Sequence, residues 1–220
     1  MNRALLIALL LLPAILASSA FAWVPSTIST ALVQTKWAGG AVSYRYNVSH
    51  GSNITGDNTA VLNAVLNSFA HWQEVSNTSL TITNAGTTAI TQKSSGDGVN
   101  AVLFQDSASQ GQVGGALAVT FTSFNGVNGN FADADIVFNM SQTFAAGAVT
   151  TGRFDLESVL THEVGHLLGL DHTDLFSSTM FQSTPTAADS QRTLAADDIA
   201  VLRATYPGST ATGALSGRVT

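Results

Sequence analysis

Three of the five histidines in the chain fall within eleven residues, in the string HEVGHLLGLDH at 162–172. His162 and His166 stand four apart, so on a helix both imidazoles leave the same face, one turn apart. Gly169 follows, and His172 brings a third imidazole beyond the expected helix end. Three neutral imidazoles converging with a fourth position open form the ligand set of a catalytic zinc rather than of a closed structural one. Glu163 sits beside the first ligand, where its carboxylate can take a proton from a zinc-activated water and later deliver one to a leaving amine. Asp171, directly before the third ligand, reads as a residue that orients or shields the site. His50 and His71 lie apart from this cluster, beside Gly51 and Trp72, and read as ordinary surface or packing residues.

Such a site needs a helix for the first pair and a sharp turn to return His172 to the same metal. Residues 155–169 read as that helix, with Asp155 near its start and Gly169 as the terminator that tolerates φ > 0. An earlier helix starts at Asp57 or Asn58 and runs to about Val75, with Val61, Leu62, Val65, Leu66, Phe69 and Trp72 at helical spacing. A third covers 193–206, with Asp197 and Asp198 in its first turn and Pro207-Gly208 closing it. Residues 41–48 partly alternate and are rich in β-branched and aromatic side chains. They and the short runs at 80–83, 99–104, 116–121 and 135–138 read as five strands separated by Gly/Ser/Asn-rich turns. The fold class is therefore α/β (α+β), built on a mixed sheet.

The beginning of the chain reads as a leader. Arg3, an apolar run from Leu5 to Leu16 and the small residues around Ala22 fit a secretory signal peptide at 1–22, and the run is too short for a membrane span. Export follows as an expectation. Removing the leader takes away one basic residue and no acidic one, so the formal charge moves from −6 to −7. That balance argues against nucleic acid or an anionic membrane as the main partner. No cysteine is present, which excludes disulfides, a thiol nucleophile and thiolate ligands to zinc. One domain is expected over 23–208. The segment 209–220 is either a flexible tail or, since ALSGRVT resembles the opening strand of β-sandwich modules appended to secreted enzymes, the start of a further module. Four N-x-[ST] sequons, at Asn47, Asn53, Asn77 and Asn139, read as compositional.

The long zinc string resembles the metzincin pattern H-E-x-x-H-x-x-G-x-x-H followed by a Met-turn. Ser178-Thr179-Met180-Phe181 is similar to that turn. LAADDIAVLRATYPG at 194–208 looks like the C-terminal helix of matrixins, and LNAVLNSFAHWQEVSNTSLTI at 62–82 like their first helix. The blocks lie in the family's order over roughly 36–208. The resemblance implies a zincin-like five-stranded twisted sheet and a zinc endopeptidase acting on protein or peptide substrates; with the leader, a secreted enzyme is expected, and a monomer. An antiparallel edge strand, Gly115–Phe121 in this chain, would border the cleft and pair with an extended substrate. Gly115, Ala116, Leu117 and Ala118 are thus expected to bind substrate. Met180 would support the metal from below without ligating it. Phe181 and the loop to Pro185 would wall the pocket for the residue after the cut.

The departures from the family also carry meaning. Without a cysteine, latency by a thiol on the zinc is impossible, and because the region just before the edge strand, where many relatives hold a second, structural zinc, contains no histidine, only one zinc is expected. No tyrosine directly follows Met180 to stabilise a transition state. Asp133 and Asp135 are open to two readings, calcium ligation or an acidic strand edge facing water, and the second is preferred. The alternative reading of the whole is a metzincin-fold binding or adhesion module without general proteolytic activity.

Overall fold

The protein is described by a computed structural model covering residues 25–28 and 33–209; the expected leader at 1–22 and nearly all of the expected tail at 209–220 lie outside the described residues. Five strands, β1 Ala41–Asn47, β2 Thr81–Thr87, β3 Ala101–Leu103, β4 Ala118–Phe124 and β5 Phe131–Phe138, form one sheet in the order β2-β1-β3-β5-β4. The first four positions pair in parallel, and β4 closes one edge antiparallel to β5. This is the mixed five-stranded sheet the sequence predicts. Three longer helices among the described residues accompany it: α1 Asn58–Gln73, α2 Leu156–Leu167 and α3 Ala196–Thr205. Among the described residues no helix is long and apolar enough to cross a membrane.

The helices begin where side chains cap them. Asp57 accepts the Ala60 N–H at 2.8 Å, Asp155 that of Ser158 at 2.8 Å, and Asp198 that of Ala195 at 2.8 Å. The apolar stripe of α1 buries Val61, Val65, Phe69 and Trp72 between the sheet and α2. Each such side chain contributes about 1.5–3 kcal/mol. Tyr44 of β1 stacks on Phe69 with ring centroids 3.6 Å apart, and Trp72 Nε1 donates to Thr161 O at 2.9 Å, which locks α1 to α2. His71, read from the sequence as a surface or packing residue, places Nε2 3.1 Å from Glu157 Oε1 across the same interface. Three sequon asparagines spend their Nδ2 internally: Asn47 on Ile90 O, Asn53 on Gln142 O, and Asn139 on Gly114 O and Ala116 O.

Some boundaries move. The edge strand begins at Ala118 and runs to Phe124, three residues beyond the Gly115–Phe121 expectation, because residues 114–117 turn out of a short helical turn at Gln110–Val113. β2 continues through Gly86, whose φ of +85° serves an irregular register. Asp133 and Asp135 do not face water. Both are buried, since the loop before β3 folds over them: Asp135 accepts N–H groups from Ala101 at 2.8 Å and Ser94 at 2.9 Å, and Asp133 accepts that of Gly96 at 3.1 Å. Burial pushes the Asp135 carboxyl up to about 6.

Candidate active site

α2 carries His162, Glu163 and His166, and its C-terminus is shaped to return the chain to His172. Gly169 N donates to His166 O at 2.9 Å and Leu170 N to Gly165 O at 3.0 Å, the paired bonds of a helix closed by a left-handed residue. Gly169 supplies that residue at φ +87°. It also lets the chain pass against Thr35, because a Cβ there would collide with the Thr35 carbonyl oxygen. Trp37 Nε1 caps Leu167 O at 2.9 Å and the Tyr206 hydroxyl caps Leu168 O at 2.8 Å, so the remaining end carbonyls are satisfied too.

The three histidines called from the sequence come together. His162 Nε2 and His166 Nε2 each lie 3.2 Å from His172 Nε2. Nitrogens on a tetrahedral zinc with bonds of about 2.0–2.1 Å stand about 3.3–3.4 Å apart, so the spacing suits that ion. The opposite ring nitrogens fix the tautomers: His162 Nδ1 donates to Thr179 O at 2.8 Å, and His166 Nδ1 to Leu170 O at 2.9 Å. Both Nε2 atoms are thereby left as lone pairs aimed at one point. Burial, with His166 nearby, pushes His162 down to about 3 and also lowers His172, so these imidazoles stay neutral and able to ligate. The donor set fits a divalent zinc.

Met180 is buried, 2% exposed, against Gly165 of α2, between the first two histidines in sequence. Gly165 makes room for it: a Cβ on Gly165 would land on Met180 Sδ and meet Trp72 Cζ2 at 3.0 Å. The turn carrying Met180 hangs on Asp198 of α3, whose Oδ2 accepts Thr179 N at 2.8 Å and whose Oδ1 accepts the Ser178 hydroxyl at 2.5 Å. α3 therefore reaches His162 through two bonds, Asp198 to Thr179 and Thr179 to the imidazole. The sequence marked Asp198 only as a helix-start residue, since nothing local shows which turn it holds.

Glu163 is buried in the floor of the cleft, and burial raises its pKa while His166 and Thr120 pull it the other way. The Thr120 hydroxyl of β4 lies 2.7 Å from Glu163 Oε2 and 3.0 Å from Glu163 O. Sequence reasoning missed Thr120, which stands 43 residues away with no motif of its own. Asp171 Oδ1 accepts the His172 N–H at 2.8 Å, consistent with an orienting role.

These groups open into one cleft of about 570 Å³. Gly115, Ala116, Leu117, Ala118 and Phe181, all expected from the sequence, line it, together with the apolar Phe154 and Val159 and with Gln191. Gln191, also absent from the sequence reading, donates to Phe181 O at 2.9 Å and Thr179 O at 3.2 Å, which braces the loop after Met180. Asn139 N donates to Leu117 O at 2.9 Å, so by antiparallel alternation the odd residues of β4 face β5. The N–H and C=O groups of Ala118 and Thr120 are left on the open edge.

Comparison with known proteins bears on the same stretch. A family described as matrixin matches residues 36–207. Metalloendoproteinase 1 of Glycine max is 46% identical over 66 residues, which cover 28% of this chain and 21% of that protein. Metalloendoproteinase 2-MMP of Arabidopsis thaliana is 37% identical over 73 residues, covering 33% and 19%, and Metalloendoproteinase 5-MMP of the same plant is 44% identical over 55 residues, covering 25% and 15%. The matches thus span about a fifth of the length of these curated relatives.

Proposed function

Because the chain belongs to the matrixin family, we propose that it is a secreted zinc-dependent endopeptidase. The observation that carries this reading is the convergence of three imidazole Nε2 atoms beside a buried carboxylate, in a cleft bordered by an open strand edge. Zinc held by His162, His166 and His172 would lower the pKa of a water toward ~7 and polarise the scissile carbonyl. Glu163 acts as general base on the attacking water and then as general acid toward the leaving amine. Thr120 holds Glu163 Oε2, which leaves Oε1 to move the proton. An extended peptide adds to the edge of β4 through the main-chain groups of Ala118 and Thr120. The side chain after the cut enters between Leu117, Phe154, Val159 and Phe181, where an apolar group buries the most surface.

Export rests on the leader at 1–22, and mass spectrometry of the released protein should show Trp23 as the first residue. Activity is tested by digesting an unfolded protein with and without a zinc chelator. Chelator-sensitive cleavage supports the reading. A zinc-loaded protein that cleaves nothing supports a binding module instead.

A further inference from the structure

Ahead of β4 the chain runs through Gly114-Gly115-Ala116-Leu117, the last three of which line the cleft, and its paired glycines would not hold one conformation by themselves. One side chain fixes it. Asn139, 3% exposed at the end of β5, donates from Nδ2 to Gly114 O at 3.0 Å and to Ala116 O at 2.7 Å, while its backbone N–H donates to Leu117 O at 2.9 Å. Its Oδ1 accepts the Ser141 N–H at 2.8 Å, so both ends of the amide are oriented. Gln110 steadies the next residue from the other side. Its Oε1 accepts the Met140 N–H at 2.8 Å, and its Nε2 donates to Phe138 O at 3.1 Å and Asp106 O at 2.9 Å.

A trans peptide points each carbonyl and the following N–H in opposite directions. Turning the carbonyls of Gly114, Ala116 and Leu117 toward Asn139 therefore turns the N–H groups of Gly115, Leu117 and Ala118 away from it, to the cleft side. We propose that Asn139 is a positioning residue that presets these three N–H groups to receive the carbonyl oxygens of an extended peptide substrate. The proposal rests on the peptidase reading above and deepens it. Asn139 touches neither substrate nor metal; it acts through the backbone, and its effect falls on binding, because a preset edge need not be ordered when substrate arrives.

Two variants separate this role from a turn-forming one. Asn139→Asp keeps the size of the side chain and the oxygen that accepts Ser141 N–H but has no N–H to donate. Asn139→Ser is smaller, and its hydroxyl cannot span two carbonyls. Steady-state kinetics on an extended peptide should show KM raised about tenfold in both, the consequence of losing two ordinary hydrogen bonds. kcat and zinc content should stay near the parent's. Folded variants with the parent's KM, or with a loss confined to kcat, overturn the proposal. If Asn139→Asp does not fold, Asn139→Ser decides; if neither folds, Asn139 serves the fold and the proposal falls. A zinc-loaded parent that cleaves no peptide overturns the peptidase reading itself, an outcome distinct from variants that merely match an active parent.

Discussion

Gly169→Ala is the perturbation whose cost can be worked most directly. Gly169 sits at φ +87°, where an alanine pays about 1–2 kcal/mol for the left-handed backbone. Its Cβ would also be driven into Thr35 O, with Phe131 Cε2 behind it at 3.3 Å. Crowding of that kind costs about 1–3 kcal/mol. Gly86 provides the control: its φ is +85°, but a Cβ there meets nothing within 4 Å. Gly86→Ala should therefore pay the backbone term alone. At about 2–4 °C of Tm per kcal/mol for a domain of this size, Gly169→Ala should melt about 2–12 °C below Gly86→Ala. The collision lies three residues before His172, so zinc affinity, read by competition with a chelator, should weaken about tenfold in Gly169→Ala and not in Gly86→Ala. If the two variants melt together and bind zinc equally, the argument that this turn positions the third histidine is wrong.

Other outcomes follow from the same geometry. Thr120→Val removes the hydroxyl that holds Glu163 Oε2, and kcat should fall about fivefold to tenfold with zinc content unchanged; unchanged kcat would remove Thr120 from the site. Glu157 is pushed up by burial, but hydrogen bonds from His71 and Asn67 and the nearby Arg192 outweigh this and hold it below the usual range. A lowered carboxyl contributes stability above its unfolded pKa, about 4.5, that is lost as pH falls through the folded value. Urea melts from pH 6 to pH 3 should thus show a shallower acid loss in Glu157→Gln than in the parent, and parallel curves would contradict the stabilising role of these contacts to Glu157. Chelation should lower Tm by about 8–16 °C if zinc is present at about a thousand times its Kd, since that linkage is worth about 4 kcal/mol. A Tm indifferent to chelator would mean that the histidine cluster holds no ion in the folded state.

How much of this was legible in the sequence depended on range. The histidine trio, the Asp57 and Asp155 caps and the apolar stripe of α1 are local patterns, none longer than twelve residues, and each appears in the structure where its spacing places it. The edge strand was assigned through the family resemblance, since GALAVTF has no periodicity that distinguishes an edge from a central strand. Its true start at Ala118 depends on the turn that Asn139 pins, 21 residues further on. Asp133 and Asp135 alternate with alanine, a pattern that imitates a water-facing edge. Only the fold shows that β5 is the second strand in and that a loop covers its acids with N–H groups. Thr120, Asn139, Gln191 and Asp198 are ordinary polar residues in sequence. Their roles come from partners 10–43 residues away, which no local pattern encodes.

The central claim is that Glu163 moves the proton in a zinc-dependent cleavage, and Glu163→Ala tests it most directly. Zinc content and digestion of an unfolded protein would be measured on the same sample. The predicted result is one zinc per chain, as in the parent, with the cleavage rate reduced about 10²–10⁴-fold. A zinc-loaded Glu163→Ala protein that cleaves within a fewfold of the parent would contradict the account.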